Sequence, residues 1–192
     1  DWHLSHSIQN NYEKIVYFLL EECEADPSCL KDSLEYAIKN NNINIVKKIF
    51  NYEKDNEDII NSKYYTYTRY KNTPLSVAIE NKHNDIAYFL LKNDKIDLEF
   101  QENFIINVAT LHNNFEMFLY LINNFDFKLT QKNYMLAFED AITYNNIKIY
   151  SLLSNDTNFK YFDFISKNLK KAVENNSFDV LKLMLKDDKC FV

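Results

Sequence analysis

A small residue stands eight positions ahead of an apolar pair, six times along the chain. The small residues are Ser7, Ala37, Ala78, Ala109, Ala141 and Ala172. The pairs are Ile15-Val16, Ile45-Val46, Ile86-Ala87, Met117-Phe118, Ile149-Tyr150 and Val180-Leu181. A further apolar pair follows in each copy, as Leu19-Leu20, Ile49-Phe50, Leu90-Leu91, Leu121-Ile122, Leu152-Leu153 and Met184-Leu185. The steps between small residues are 30, 41, 31, 32 and 31. A period in the low thirties means stacked supersecondary units, none of which buries its apolar face alone.

Inside each unit the apolar spacing is helical. Leu75, Ala78 and Ile79 mark one stripe of a first helix, and Ile86, Phe89, Leu90 and Leu91 one of a second. A short polar break separates the two: Asn10-Asn11, Asn40-Asn41-Asn42, Lys82-His83, Asn113-Asn114, Asn145-Asn146 and Asn175-Asn176. A chain that must leave one helix and reverse into another usually needs a residue in the left-handed region. Glycine is the usual choice and asparagine the next. This chain has no glycine and 27 asparagines. It turns on Asn11, Asn41, Asn113, Asn145 and Asn176, with Lys82 the odd member. On backbone grounds alone, glycine at Asn113 or Asn145 is expected to stabilise by about 0.4–1 kcal/mol. The alanines are expected where neighbouring units press together, so leucine there overpacks by about 1–3 kcal/mol.

The missing glycine also excludes chemistry. No P-loop, dinucleotide-binding turn or nucleophile elbow can be built without it. With 2 prolines the chain also lacks the punctuation of a many-stranded sandwich. The formal charge of −6 argues against a general nucleic-acid footprint. Cys23, Cys29 and Cys190, an odd number in a chain large enough to fold without staples, read as reduced thiols of an intracellular protein, expected in the cytoplasm, rather than as a disulfide framework. No apolar run approaches the ~18 residues that span a bilayer. The chain opens on Asp1 without a signal peptide and is expected to be a fragment.

The segment Asn72-Thr73-Pro74-Leu75-Ser76-Val77-Ala78-Ile79 resembles the ankyrin repeat, whose first helix opens T-P-L-H-x-A. Ile15 to Leu20 and Ile86 to Leu91 are similar to the I-V-x-x-L-L run of its second helix. The likeness implies that Thr73 caps a helix and Pro74 occupies its first turn. The other two-helix solenoid of similar period, the tetratricopeptide type, has a W…L-G…Y signature that this chain does not show. The expected fold is therefore an all-α solenoid of about six stacked ankyrin-like repeats in a single domain spanning 1–192. The repeats run over approximately 1–30, 31–60, 72–102, 103–134, 135–165 and 166–192. The step of 41 leaves an insertion near 51–71. Within it, the alternation from Tyr65 to Tyr70 has strand period and predicts a β-hairpin-like finger near 60–71.

The resemblance implies binding of a protein partner through turn tips and the exposed side of first helices. Those positions are Arg69, Tyr70, Asn72, Glu80 and Asn81, then Gln101, Asn103, Leu111 and His112, then Asn133, Met135, Thr143 and Tyr144. Tyr65, Tyr67, Arg69 and Tyr70 of the finger are the residue types favoured at interface hot spots. The same tyrosines can equally pack on one another and on adjacent helices. Two functional readings stay open: a non-catalytic protein-interaction scaffold, and a structural spacer or capping array within a larger protein. No metal or cofactor is expected. The spacing of Cys23 and Cys29 is not one of the common zinc forms, and His3 and His6 read as an N-terminal turn. His83 reads as a structural hydrogen-bonding residue. The acidic neighbours Glu21-Glu22, Glu139-Asp140 and Asp187-Asp188 read as solvated faces, since adjacent residues on a helix point apart.

Overall fold

A computed structural model describes residues 2–23, 29–52, 73–93, 98–125, 131–155 and 162–186, with some helix-end side chains in these ranges excepted. Twelve helices and no strand occur among the described residues. They form successive antiparallel pairs: α1 (Trp2–Gln9) with α2 (Glu13–Glu21), α3 (Leu30–Lys39) with α4 (Ile43–Tyr52), and α5 (Pro74–Glu80) with α6 (Asn84–Leu91). Next come α7 (Leu98–Leu111) with α8 (Phe115–Asn124), α9 (Gln131–Thr143) with α10 (Ile147–Ser154), and α11 (Phe162–Glu174) with α12 (Phe178–Met184). The proposed finger lies in 53–72, outside the described residues. Two compact units result, Asp1–Glu99 and Phe100–Val192.

All six pairs turn in the same way. Asn11, Asn41, Lys82, Asn113, Asn145 and Asn176 have φ between 53° and 61°. In each case that residue donates its N–H to the carbonyl three positions back, and the next residue donates to the carbonyl of the small residue. In the first pair these bonds are Asn11 to Ile8 and Tyr12 to Ser7, at 3.0 and 2.9 Å. In the fifth, Asn146 reaches Ala141 at 2.7 Å. This is the double closure of a Schellman turn, which satisfies carbonyls that a helix end otherwise leaves open. The Lys82 bonds to Ile79, and His83 to Ala78, show that spacing rather than residue type sets the turn.

The small residue thus has two duties. Its carbonyl locks the turn, and its side chain lies at the packing surface. Ala37, Ala78, Ala109, Ala141 and Ala172 are all fully buried, as is most of Ser7. In the first unit α1 packs on α3 and α3 on α5, while α2, α4 and α6 form a second layer. In the second unit α9 packs on α11 and α10 on α12. The core between layers is aliphatic with a few large rings. Leu4, Leu34, Ile45, Ile49, Leu75 and Leu90 fill it in the first unit, and Ile105, Phe118, Phe138 and Ile149 in the second. Each such side chain contributes about 1.5–3 kcal/mol.

Helix α5 starts as the resemblance implies. Thr73 Oγ1 accepts from the Ser76 N–H at 3.2 Å, and the Thr73 N–H donates to Ser76 Oγ at 2.8 Å, with Pro74 in the first turn. This reciprocal box satisfies the Thr73 and Ser76 N–H groups at the start of a helix whose residues from Pro74 to Ile79 are all buried.

The turn asparagines do more than tolerate a left-handed backbone. Asn113 Oδ1 accepts from Asn146 Nδ2 at 2.7 Å, and Asn11 Oδ1 accepts from Asn42 Nδ2 at 2.7 Å, each across to the next pair. Asn145 Oδ1 accepts from the N–H groups of Asp179 and Val180, both at 3.1 Å, and its Nδ2 donates to Asp179 Oδ2 at 2.9 Å. It therefore caps α12 from the neighbouring pair, where Ser177, the local cap residue, makes no capping bond of its own.

These bonds revise the expectation for glycine. Asn113→Gly relieves left-handed strain but leaves the Asn146 amide, 4% exposed, without its partner, a loss of about 1–3 kcal/mol. Lys82 gains from the backbone change without that loss. Lys82→Gly is expected to stabilise by about 0.5–1 kcal/mol, the left-handed relief less the added freedom of the unfolded chain, and Asn113→Gly to be neutral or destabilising. Urea denaturation of both variants checks the contrast; equal gains in both would show that the Asn113 bond contributes nothing. In the same assay Ala141→Leu should lose about 1–3 kcal/mol.

Candidate partner-binding surface

The first helices present their outer edge at fixed positions. In the second unit, Thr110 Oγ1 lies 2.9 Å from Asp140 Oδ2, which holds α7 and α9 side by side. Leu111 ends α7 and His112 follows it, and Thr143 and Tyr144 hold the equivalent places at the end of α9. The four residues fall along one edge. Leu111, His112 and Thr143 are half-buried, while Tyr144 is 49% exposed. Met135, earlier on α9, is 41% exposed on the same helix. In the first unit Glu80 is half-buried and Asn81 exposed. The Asn81 amide is held by its own helix, donating to the Val77 carbonyl at 2.8 Å.

Asn133 corrects the expectation placed on it. It is 4% exposed, because α9 already begins at Gln131 and carries Asn133 onto the buried stripe with Ala137, Phe138 and Ala141. Gln101 and Asn103 fall within α7, and their side chains lie outside the described residues. Tyr65, Tyr67, Arg69, Tyr70 and Asn72 also lie outside the described residues.

Two features escaped the sequence reading. Tyr36, on α3 just before Ala37, is 43% exposed and adds an aromatic to the first unit's edge. Its neighbours Glu35 and Lys39 form an ion pair along the helix at 2.5 Å. The second feature is the pair Glu139-Asp140, which is not a solvated face. Glu139 Oε2 accepts from Lys171 Nζ of α11 at 2.9 Å, and Asp140 holds Thr110 of α7. Adjacent acids point apart, as the helix requires, but each points at a neighbouring helix. Thr110 and Lys171 lie one repeat period away in opposite directions, and that spacing was the available signal.

Burial pushes the Asp140 carboxyl above its ordinary value, while the Thr110 bond and the charge of Lys171 pull it down. Burial wins, so the site is electrostatically a mild liability near neutral pH rather than a poised acid. His83 serves structure: its Nε2 lies 3.3 Å from the Lys39 carbonyl of the preceding pair, placed to donate there when that nitrogen carries the proton. His6 stacks on Trp2 with ring centroids 4.7 Å apart. Cys23 is exposed and Cys29 half-buried, both as free thiols. Among the described residues no three side chains of histidine, cysteine or acid converge on one point, and no helix is long and apolar enough to cross a membrane.

A family model described as ankyrin repeats, in 3 copies, matches residues 4–102. Comparison with curated proteins gives no match.

The raised Asp140 value fixes a sign. The folded state holds the proton more tightly than the unfolded state, so stability falls as pH rises from the ordinary carboxylate value through the raised one. Asp140→Asn stays neutral throughout. Its urea midpoint should match that of the parent protein at acid pH and move above it as pH approaches neutrality. A midpoint below the parent's at neutral pH would mean that the ionised carboxylate is the stabilising form.

Proposed function

The chain belongs to the ankyrin-repeat family, whose members are in general protein-interaction modules without catalytic activity, and from that premise we propose that it is a scaffold that binds a protein partner through its first-helix edges and the tyrosine-rich segment at 60–71. All six helix pairs are read as repeats of one kind. The family match covers the earlier pairs; the same left-handed turn and the same two closing bonds at Asn113, Asn145 and Asn176 support extending it to the later ones.

The observation that carries the binding reading is the exposure of Tyr36 on α3, Met135 on α9 and Tyr144 immediately after α9. On the same two helices Leu30, Leu34, Ala37, Ile38, Ala137, Phe138, Ala141 and Ile142 are buried. Tyrosine and methionine are enriched at interfaces, where they supply large contact area at low entropic cost. The rest of the edge is polar and half-buried, which suits a rim that excludes water around such anchors. Tyr65, Tyr67, Arg69 and Tyr70 are of the residue types most often found at hot spots.

The test is affinity capture from the source cell using three versions of the chain: unchanged, Met135→Ser with Tyr144→Ser, and Tyr65, Tyr67, Arg69 and Tyr70 all changed to serine. Met135 and Tyr144 are exposed, so their substitution should leave the helical circular dichroism intact, and the same measurement checks the other variant. The unchanged chain should enrich a protein that at least one variant captures about tenfold less well. Enrichment of no protein by the unchanged chain would favour a structural spacer instead.

A further inference from the structure

The junction of α7 and α9, inside the second unit, is polar where its equivalents are apolar. The side chain one position after the small residue is Ile8, Ile38, Ile79 and Ile142 in other pairs, all fully buried. In the fourth pair it is Thr110, equally buried. Asp140 stands one position before Ala141, the register place held by Val77 in the first unit, where Val77 and Ile38 are both fully buried. A polar pair in a place that suits two aliphatic side chains costs stability unless its hydrogen bonds close.

With an ionised carboxylate they do not all close. Thr110 Oγ1 lies 2.9 Å from two acceptors, the Asn107 carbonyl and Asp140 Oδ2. A hydroxyl carries one hydrogen, so it serves only one of them at a time. Asn107 Oδ1, one turn earlier on α7, is also buried and has no partner among the described residues. The junction is short of donors. A proton on Asp140 adds one: the acid donates to Thr110 Oγ1, and Thr110 then donates to the Asn107 carbonyl.

The charges that bear on Asp140 oppose each other. They are Lys171 of α11 and Glu139 of α9, which also pair together. Lys170 and Glu174 of α11 pair with each other at 3.5 Å. Lys148 of α10 stands over Phe115, and Asp179 of α12 holds Asn145, with Lys182 one turn further on. Among the described residues α7 presents only the neutral Thr110 and Asn107 here. Burial then decides, and it favours the protonated carboxyl.

We propose that the junction of α7 and α9 is a proton-operated latch on the edge formed by Leu111, His112, Thr143 and Tyr144. With the proton in place, the relay from Asp140 through Thr110 to the Asn107 carbonyl ties the two helices together. Without it, the carboxylate takes the Thr110 hydrogen for itself. A half-buried charge is also better solvated when the helices part. Leu111 follows Thr110 directly and Thr143 stands three residues after Asp140, so parting here loosens the edge. That the edge binds a partner rests on the reading above; the latch does not.

Amide hydrogen exchange on the whole chain, read residue by residue by NMR from acid to neutral pH, tests this. Each rate is divided by its intrinsic value at that pH, and Asp140 ionisation is followed at its own carboxyl carbon. As Asp140 ionises, the amides of Leu111, His112, Thr143 and Tyr144 should lose protection about tenfold relative to the core amides of Phe118 and Ile149. Asp140→Asn stays neutral and can donate to Thr110, so it should hold the protection of the acid form throughout. His112→Asn should leave the change in place, which assigns it to the carboxyl and not to the imidazole. Protection at the edge that does not change with pH overturns the proposal. So does a change that persists in Asp140→Asn or vanishes in His112→Asn. No partner enters the experiment, so failure of the latch and failure of the binding reading are separate results.

Discussion

The backbone bond that ends each first helix is the constraint on which the rest of the structure depends. A left-handed residue four positions after a small one lets two successive N–H groups fold back onto the helix. That geometry fixes where the first helix stops and the direction in which the second departs. It also fixes which face of the second helix meets the core, because only then do Ile45, Val46 and Ile49 point inward with Leu34 and Ile38. The small residue cannot grow without disturbing both the turn it anchors and the layer it packs in. Helix propensity, burial and turn chemistry therefore agree in every pair, and that agreement across levels is what makes a sequence foldable.

Asparagine changes the character of this turn. Glycine would reach the left-handed region with less strain, but it has nothing to offer a neighbour. The amides of Asn11, Asn113 and Asn145 each bond to the next pair. Asn40 similarly donates to the Ile8 and Gln9 carbonyls at the end of α1, at 3.3 and 3.0 Å. Asn42 takes part twice, capping its own helix through Oδ1 and reaching Asn11 and Glu13 through Nδ2. Local turns thus become lateral links, and hydrophobic contact between pairs gains direction from hydrogen bonds that only one register can satisfy.

Much of this was legible because it is written in spacing. The left-handed position at Lys82 could not have been found from residue type, since lysine has no special affinity for that region, yet its distance from Ala78 gave it away. The helix pairs and their polar breaks followed from the same arithmetic, whereas the cap at Thr73 was implied by the resemblance of Thr73-Pro74-Leu75 to the family's first-helix opening. What spacing could not show was the second partner of a side chain. Glu139 and Asp140 look solvated until Lys171 and Thr110 are brought beside them. Asn133 looks like a tip residue until its helix proves long enough to turn it inward. Both depend on helix phase and on neighbours one period away, whereas local pattern sees only the segment itself.

The cap that Asn145 provides for α12 has a consequence for how such an array can change over generations. The start of that helix is specified one repeat upstream of the helix itself. Duplicating or deleting a helix pair at its obvious boundaries separates a cap from the helix it completes. Asn145 and Val180 are 35 residues apart and Asn113 and Asn146 are 33 apart, each more than one step of the repeat. No segment one period long therefore carries both halves of such a bond. A copied pair is joined to its neighbours only where the pair on the other side of the seam supplies the matching half.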